Sequence, residues 1–201
     1  MESETTERDL RDRLDLIENM IAEGRRKSES WGWAFVLWGL AYYVAFFWGN
    51  WGHFAYAWPV TVIAASLLTM LGFWRNGSKG RPNTTLGRAI AAVWWTTGLA
   101  MFILYLSLAF SGRLADYHLS VAIAGAMLGA ANAACAAMLR WMSQFLCAIV
   151  WWSTCVAASF GSASQTTDAF LGAIFLCQIV FGIYAMTLEA RRRRQHEALH
   201  A

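Results

Sequence analysis

In a 201-residue chain this apolar, few residues could do chemistry, and five stand out. Trp38, Trp95 and Trp152 recur at a constant offset of 57 residues, inside "AFVLWGLA" (34–41), "AAVWWTTGLA" (91–100) and "AIVWWSTCVA" (148–157). Trp94 matches Trp151 at the same offset, as do Ala34, Ala91 and Ala148, and Val36, Val93 and Val150. An indole offers a broad apolar face and one N–H donor. Three at equivalent helix positions could line a ligand cage, or pack around a common axis. Asn132 and Gln178 are uncharged amides deep in hydrophobic runs. At 1.5 Å per residue both lie about 17–20 Å from the same end of their segments. They could join two helices by hydrogen bonds, or form part of a polar pocket for an uncharged ligand.

Other reactive types are sparse. His53, His118 and Asp116 fall in connecting segments, where single histidines are ordinarily solvated; they are the only candidate metal cluster, and the spacing does not favour one. Asp168 in "TTD" reads as a helix N-cap. Cys135, Cys147, Cys155 and Cys177 lie within apolar runs at spacings unlike those of metal ligands, so they read as packing residues. Thr96, Thr97, Ser107, Ser153 and Thr154 sit mid-run and are expected to bond their own backbone. No nucleophile–base, phosphate-loop or dinucleotide motif occurs. The sequence therefore points to no catalytic site, no resident metal and no cofactor.

The elements that must position these residues are long apolar helices. No Asp, Glu, Lys or Arg occurs between Trp31 and Trp74, and the stretches 89–112 and 117–139 are equally free of them. From 141 to 188 only Asp168 is ionised. Crossing a bilayer core of about 30 Å takes about 20 apolar residues. Six spans follow: 31–50, 56–74, 89–110, 119–139, 142–160 and 167–188. Backbone polar groups in lipid must be satisfied within the segment, so each span is expected to be helical; the alternation of a membrane barrel is missing. The fold class is thus all-α and integral to a membrane, with 1–30 an amphipathic helix, 31–188 a six-helix domain and 189–201 a basic tail. The 57-residue offset predicts three tandem hairpins inserted in one direction, arranged about an axis along the membrane normal.

Fifteen of the sixteen Lys and Arg residues fall on one side of this topology, and only Arg113 on the other. The positive-inside rule puts both termini in the cytoplasm. The charged first 30 residues lack the apolar core of a cleavable signal peptide, so the first span is expected to serve as signal and anchor. Directly after a span, "RRRRQHEALH" reads as a cytoplasmic anchoring cluster touching anionic lipid rather than a nucleic-acid contact.

The N-terminal segment carries the most patterned polar surface. Thr6 with Asp9 resembles a capping box. Leu10, Leu14, Ile17 and Ile21 recur at spacings of 4, 3 and 4, a single apolar stripe. Residues 1–24 hold eight acids against three arginines, a charge that anionic lipid repels. The stripe either packs on the protein's own loops or pairs with another copy or a cytoplasmic protein as a short coiled-coil seam. Near the bilayer, Trp31, Trp33, Trp48, Trp51 and Trp58 read as interface anchors.

The run "LDLIENMIAEGRR…WGWAFVLWGLAYY" resembles the opening of uncharacterised bacterial multi-pass inner-membrane proteins, in which an amphipathic helix leads into a Trp/Gly-rich first span. The resemblance covers about the first quarter of the chain. It implies a bacterial inner membrane and supplies no activity. Two functions remain in view. One is a non-catalytic sensor, regulatory or accessory subunit presenting its N-terminal helix to a partner. The other is a transporter or channel for a small uncharged or lipophilic molecule.

Overall fold

The computed structural model describes residues 2–52, 56–77, 85–112 and 116–200, and its regular elements are all helical. They are α1 (Glu2–Glu29), α2 (Gly32–Gly52), α3 (Ala57–Gly77), α4 (Thr85–Phe110), α5 (Tyr117–Leu139), α6 (Met142–Phe160), α7 (Ala163–Ile174), a π-helical turn (Phe175–Val180) and α8 (Phe181–His200). Ile174 and Phe181 keep right-handed helical dihedrals, so α7, the π turn and α8 form one continuous rod. Among the described residues six helices are long and apolar enough to cross a membrane: α2, α3, α4, α5, α6 and this rod. The rod counted as one such helix runs from Ala163 to Gln195, 33 residues in all. That is about 50 Å, well beyond a bilayer core, so its arginine-bearing end projects.

Burial is shared unequally. Half of the apolar window of α5 is buried inside the bundle, against 11% for α3 and 6% for α4. α5 and α6 form the most extensive interface. Small residues in α5 make it possible: a Cβ added to Gly125 would sit 2.7 Å from the Trp151 carbonyl oxygen and 2.8 Å from the Cys155 nitrogen, and Gly129 lies beneath the Trp152 indole. The two helices join through Arg140, which adopts the left-handed conformation at φ 50° while its N–H bonds the Ala136 carbonyl. α2 packs on α3 at one side and on the α7–π–α8 rod at the other. Gly32 meets Gly182 there, and Gly39 meets the backbone and side chains at Gln178 and Ile179. α3 leans mainly on α2, and α4 on α5 and α1.

Helix ends sharpen several boundaries read from sequence. The last span begins at Ala163, capped by Ser162, whose backbone N–H donates to Gln165 Oε1 at 2.8 Å in a reciprocal capping box. Asp168 is therefore an exposed residue inside the helix and not its cap. Ser-x-x-Gln outcompetes Asp because it satisfies two orphan donors at once. Asp116 does cap α5, accepting from the Leu119 N–H at 3.1 Å. α1 already runs from Glu2, so Thr6 lies within the helix instead of opening it. Thr96, Ser107 and Thr154 bond carbonyls one turn back, at 2.7, 2.8 and 3.0 Å, as expected of hydroxyls in apolar helices. Trp31 and Trp33 fold over Phe73 of α3, with ring centroids 5.3 and 5.6 Å away, while Trp51 at the opposite end of α2 is 89% exposed.

Candidate functional site

The recurring tryptophans do not converge. Trp38 is half-buried, and its indole N–H donates to Thr69 Oγ1 of α3 at 3.1 Å. Its ring is 5.8 Å from Tyr42, which in turn lies 6.2 Å from Trp58. Trp95 instead points outward and is 70% exposed, and Trp152 is 40% exposed over Gly129. One position earlier, about 100° around the helix, the picture inverts. Trp151 is completely buried, and Trp94 is half-buried with its ring 5.2 Å from Phe35. At the 57-residue offset the indoles facing the core are thus Trp94 and Trp151, and residue 37, their counterpart in α2, is leucine.

The two amides are both buried but keep different company. Asn132 donates from Nδ2 to the Leu128 carbonyl of its own helix at 2.8 Å, which leaves Oδ1 without a partner. Gln178 sits in the π-helical turn against Gly39 of α2. A π turn inserts one residue into the helical register, and such turns recur at functional sites. Here it swings Cys177 and Gln178 inward together. The Cys177 thiol donates to the Cys147 carbonyl at 3.6 Å. Thirty residues separate them in sequence, so no local spacing marks the pair.

A third buried amide escaped notice in the sequence. Gln144 is completely buried, and neither its nitrogen nor its oxygen has a protein partner. In "RWMSQFL" it follows Arg140 closely enough to read as a membrane-edge residue. Instead it opens an inward line on α6 that continues through Cys147, Trp151 and Thr154. Trp151 Nε1 also lacks a partner, and Thr154 bonds Val150 at 3.0 Å and reaches Ala169 at 3.4 Å. This line offers donors, acceptors and the Cys147 thiol, and no carboxylate or imidazole.

His118 is structural. Its Nδ1 lies 3.1 Å from the Ala158 carbonyl and 3.1 Å from Thr166 Oγ1. A carbonyl only accepts, so Nδ1 carries the proton and ties α5, α6 and α7 together at this end. This corrects the reading of His118 as a solvated loop residue. His53 lies outside the described residues. Among the described residues no three His, Cys, Asp or Glu side chains are placed to share a metal ion.

At the Arg140 end of the bundle, α1 lies across the ends of several helices. Gly24 abuts Leu86 of α4 and Leu139 of α5. Arg25 donates from Nε to the Leu139 carbonyl at 2.6 Å and from its terminal nitrogen to the Arg140 carbonyl. Those are orphan acceptors at the end of α5, and a guanidinium suits them in charge and geometry. Glu29 is buried and pairs with Arg192 of α8 at 3.0 Å. Burial pushes its carboxyl above the usual range; Arg192 opposes this most, Glu189 adds to it, and Arg25 and Arg26 oppose it weakly. Glu18, Ile21, Ala22, Arg25 and Arg140 line a cleft of about 340 Å³. Further out the stripe is uncovered: Leu10, Leu14 and Ile17 are 55%, 60% and 53% exposed, and only Ile21 is half-buried.

Fold and site together define a class: an all-helical protein of six membrane-length apolar helices with an amphipathic helix docked at one end. Compared with known proteins, the chain matches no family model, no curated protein and no solved structure.

Proposed function

We propose that the chain is a non-enzymatic multi-pass membrane protein, a sensor, regulatory or accessory subunit that presents its N-terminal helix to a cytoplasmic partner. The observation carrying this reading is the exposed stripe Leu10, Leu14 and Ile17, borne by a helix that Arg25 and Glu29 fasten to the bundle. Large aliphatics held in a row in water are costly unless something covers them. Within the six apolar spans read from the sequence, in contrast, the only Asp, Glu, Lys or Arg is Asp168. In this reading both termini are cytoplasmic, supported by the one-sided distribution of Lys and Arg, and the membrane is a bacterial inner membrane, as the resemblance of the first quarter of the chain implies. Three tandem hairpins are supported by the 57-residue offset. Affinity capture with the full chain and with a chain lacking residues 1–24 tests the function. Partners held by the full chain alone are expected; identical partner sets would exclude the reading.

A second reading, transport of a small uncharged molecule, draws on the unpartnered polar atoms of Gln144, Asn132 and Trp151. It predicts that replacing Gln144 abolishes uptake of the cargo while the fold persists.

A further inference from the structure

The cleft beneath α1 carries opposite charges that do not pair with one another. Glu18, Ile21, Ala22 and Arg25 follow the spacing i, i+3, i+4 and i+7, so they share one face of α1, and Arg140 of the α5–α6 turn lines the cleft from the bundle side. Its volume of about 340 Å³ falls within the range of small-molecule sites. Arg25 is bonded to the Leu139 and Arg140 carbonyls, which brings the two arginines together at one end. Glu18 stands two turns earlier, about 10 Å along the helix. Among the described residues it forms no ion pair with either guanidinium.

Opposite charges held apart across one cleft fit a ligand that carries both. A lone anion would meet the Glu18 carboxylate, and a lone cation would meet the two guanidiniums. A zwitterion satisfies all three. In a phosphoethanolamine group the ammonium and phosphate are about 4–5 Å apart across a P–O–C–C–N link. With about 3 Å for the contact at each end the group spans about 10 Å, which matches the separation of Glu18 and Arg25 along α1. The ammonium offers three N–H donors to the carboxylate, and a planar guanidinium suits phosphate oxygens.

The position of the cleft names the source of that zwitterion. Arg140 stands between Leu139, the last residue of α5, and Met142, the first of α6, both ends of membrane-length helices. The cleft therefore lies where hydrocarbon gives way to lipid headgroups, a layer about 5–7 Å deep on each side of a bilayer. Next to it Gly24 rests on Leu86 at the start of α4. Only 6% of the apolar window of α4 is buried in the bundle, so a lipid seated here by its headgroup has an open helix face for its acyl chains. We propose that this cleft binds the headgroup of an amine-bearing zwitterionic phospholipid such as phosphatidylethanolamine, with Arg25 and Arg140 on the phosphate and Glu18 on the ammonium. The lipid then bridges α1 and the α5–α6 turn, and membrane composition bears on how firmly α1 is held.

Native mass spectrometry of the full chain in detergent, given equimolar phosphatidylethanolamine and phosphatidylcholine with the same acyl chains, tests this. The two lipids are alike in net charge, so the basic tail does not tell them apart, but the choline nitrogen has no N–H to donate. Retention of the ethanolamine lipid is expected to exceed that of the choline lipid about fivefold, the worth of one partly exposed ion pair. Glu18→Ala should bring that ratio to about one while raising retention of phosphatidylglycerol, an anion that only the Glu18 carboxylate opposes in the cleft; a variant that had merely unfolded would lose every lipid. Arg140→Gln should lower retention of the ethanolamine and choline lipids together. Equal retention of those two lipids by the unaltered chain would overturn the proposal. So would a preference that survives Glu18→Ala, which would belong to another part of the chain. Displacement of the lipid by free phosphoethanolamine at equal concentration would overturn the lipid assignment and leave a soluble zwitterion as the ligand.

Discussion

α5 and α1 each carry a row of residues at helical spacing, yet the two rows end in opposite environments. In α5 the spacing is occupied by Val121, Ala124, Gly125, Leu128, Gly129, Asn132 and Cys135, and every one is buried. In α1 it is occupied by Leu10, Leu14, Ile17 and Ile21, and the first three are exposed. Hydrophobicity alone would rank the two the other way. In a bilayer, Leu gains little by leaving lipid for protein, so close approach through small residues drives packing. In water, Leu and Ile gain most from burial, about 1.5–3 kcal/mol each, so an uncovered row of them is where a covering surface would gain most. The same periodicity therefore reads as a finished contact in one solvent and an unfinished one in the other.

That contrast can be broken at either end. The largest effect is expected from Gly125→Leu, whose first added carbon already meets the Trp151 and Cys155 backbone, which cannot yield. A loss of about 3 kcal/mol is expected in detergent unfolding. Gly98, with nothing within 4 Å, should tolerate Ala with a change below about 0.5 kcal/mol. Equal losses at both sites would remove the distinction between packed and lipid-facing helices.

Next comes Arg25→Ala, which leaves the Leu139 and Arg140 carbonyls uncapped. Charge-assisted bonds of this kind contribute about 2 kcal/mol. Faster amide exchange over residues 24–29 is expected, with the bundle's unfolding midpoint unmoved. A fall in that midpoint would mean α1 is integral to the bundle and not docked on it.

Gln144→Leu acts in the opposite sense. Because both amide atoms are buried without partners, leucine should stabilise the bundle by about 1 kcal/mol. Destabilisation would reveal a water or ligand bonded to the amide and would favour the transport reading.

The smallest effect concerns Glu29. Its carboxyl titrates above the ordinary 4.5 because burial disfavours the charge. The docked form therefore binds the proton more tightly than the undocked form. Docking is firmest below pH 4.5 and weakens as pH rises through that value and the raised one. Amide exchange of the last turn of α1 followed against pH checks this, and Glu29→Gln should flatten the profile.

Much of the architecture was legible because solvent dictates it. Long charge-free runs had to become helices, and the six spans agree with the observed helices to within a few residues at most ends. The exceptions were local. Ser162 with Gln165 displaced Asp168 as a cap, since reciprocal bonding satisfies more donors than one carboxylate. Trp38, Trp95 and Trp152 share a sequence register but take three environments, because register says nothing of which face a helix turns to its neighbours. Gln144 lay hidden by its closeness to Arg140, and the Cys147–Cys177 contact by a sequence separation of 30.

Composition and the placement of charge by themselves determined that this chain is helical, that it has six membrane-length segments and that it bears a separate amphipathic helix, for each follows from the solvent a segment must satisfy. Only the tertiary structure decided which faces meet. It buried Trp151 and exposed Trp95, closed α5 on α6 through glycine, fastened α1 by Arg25 and Glu29, and left Leu10, Leu14 and Ile17 uncovered. Those outcomes depend on backbone approach between distant segments, a quantity that no single segment encodes.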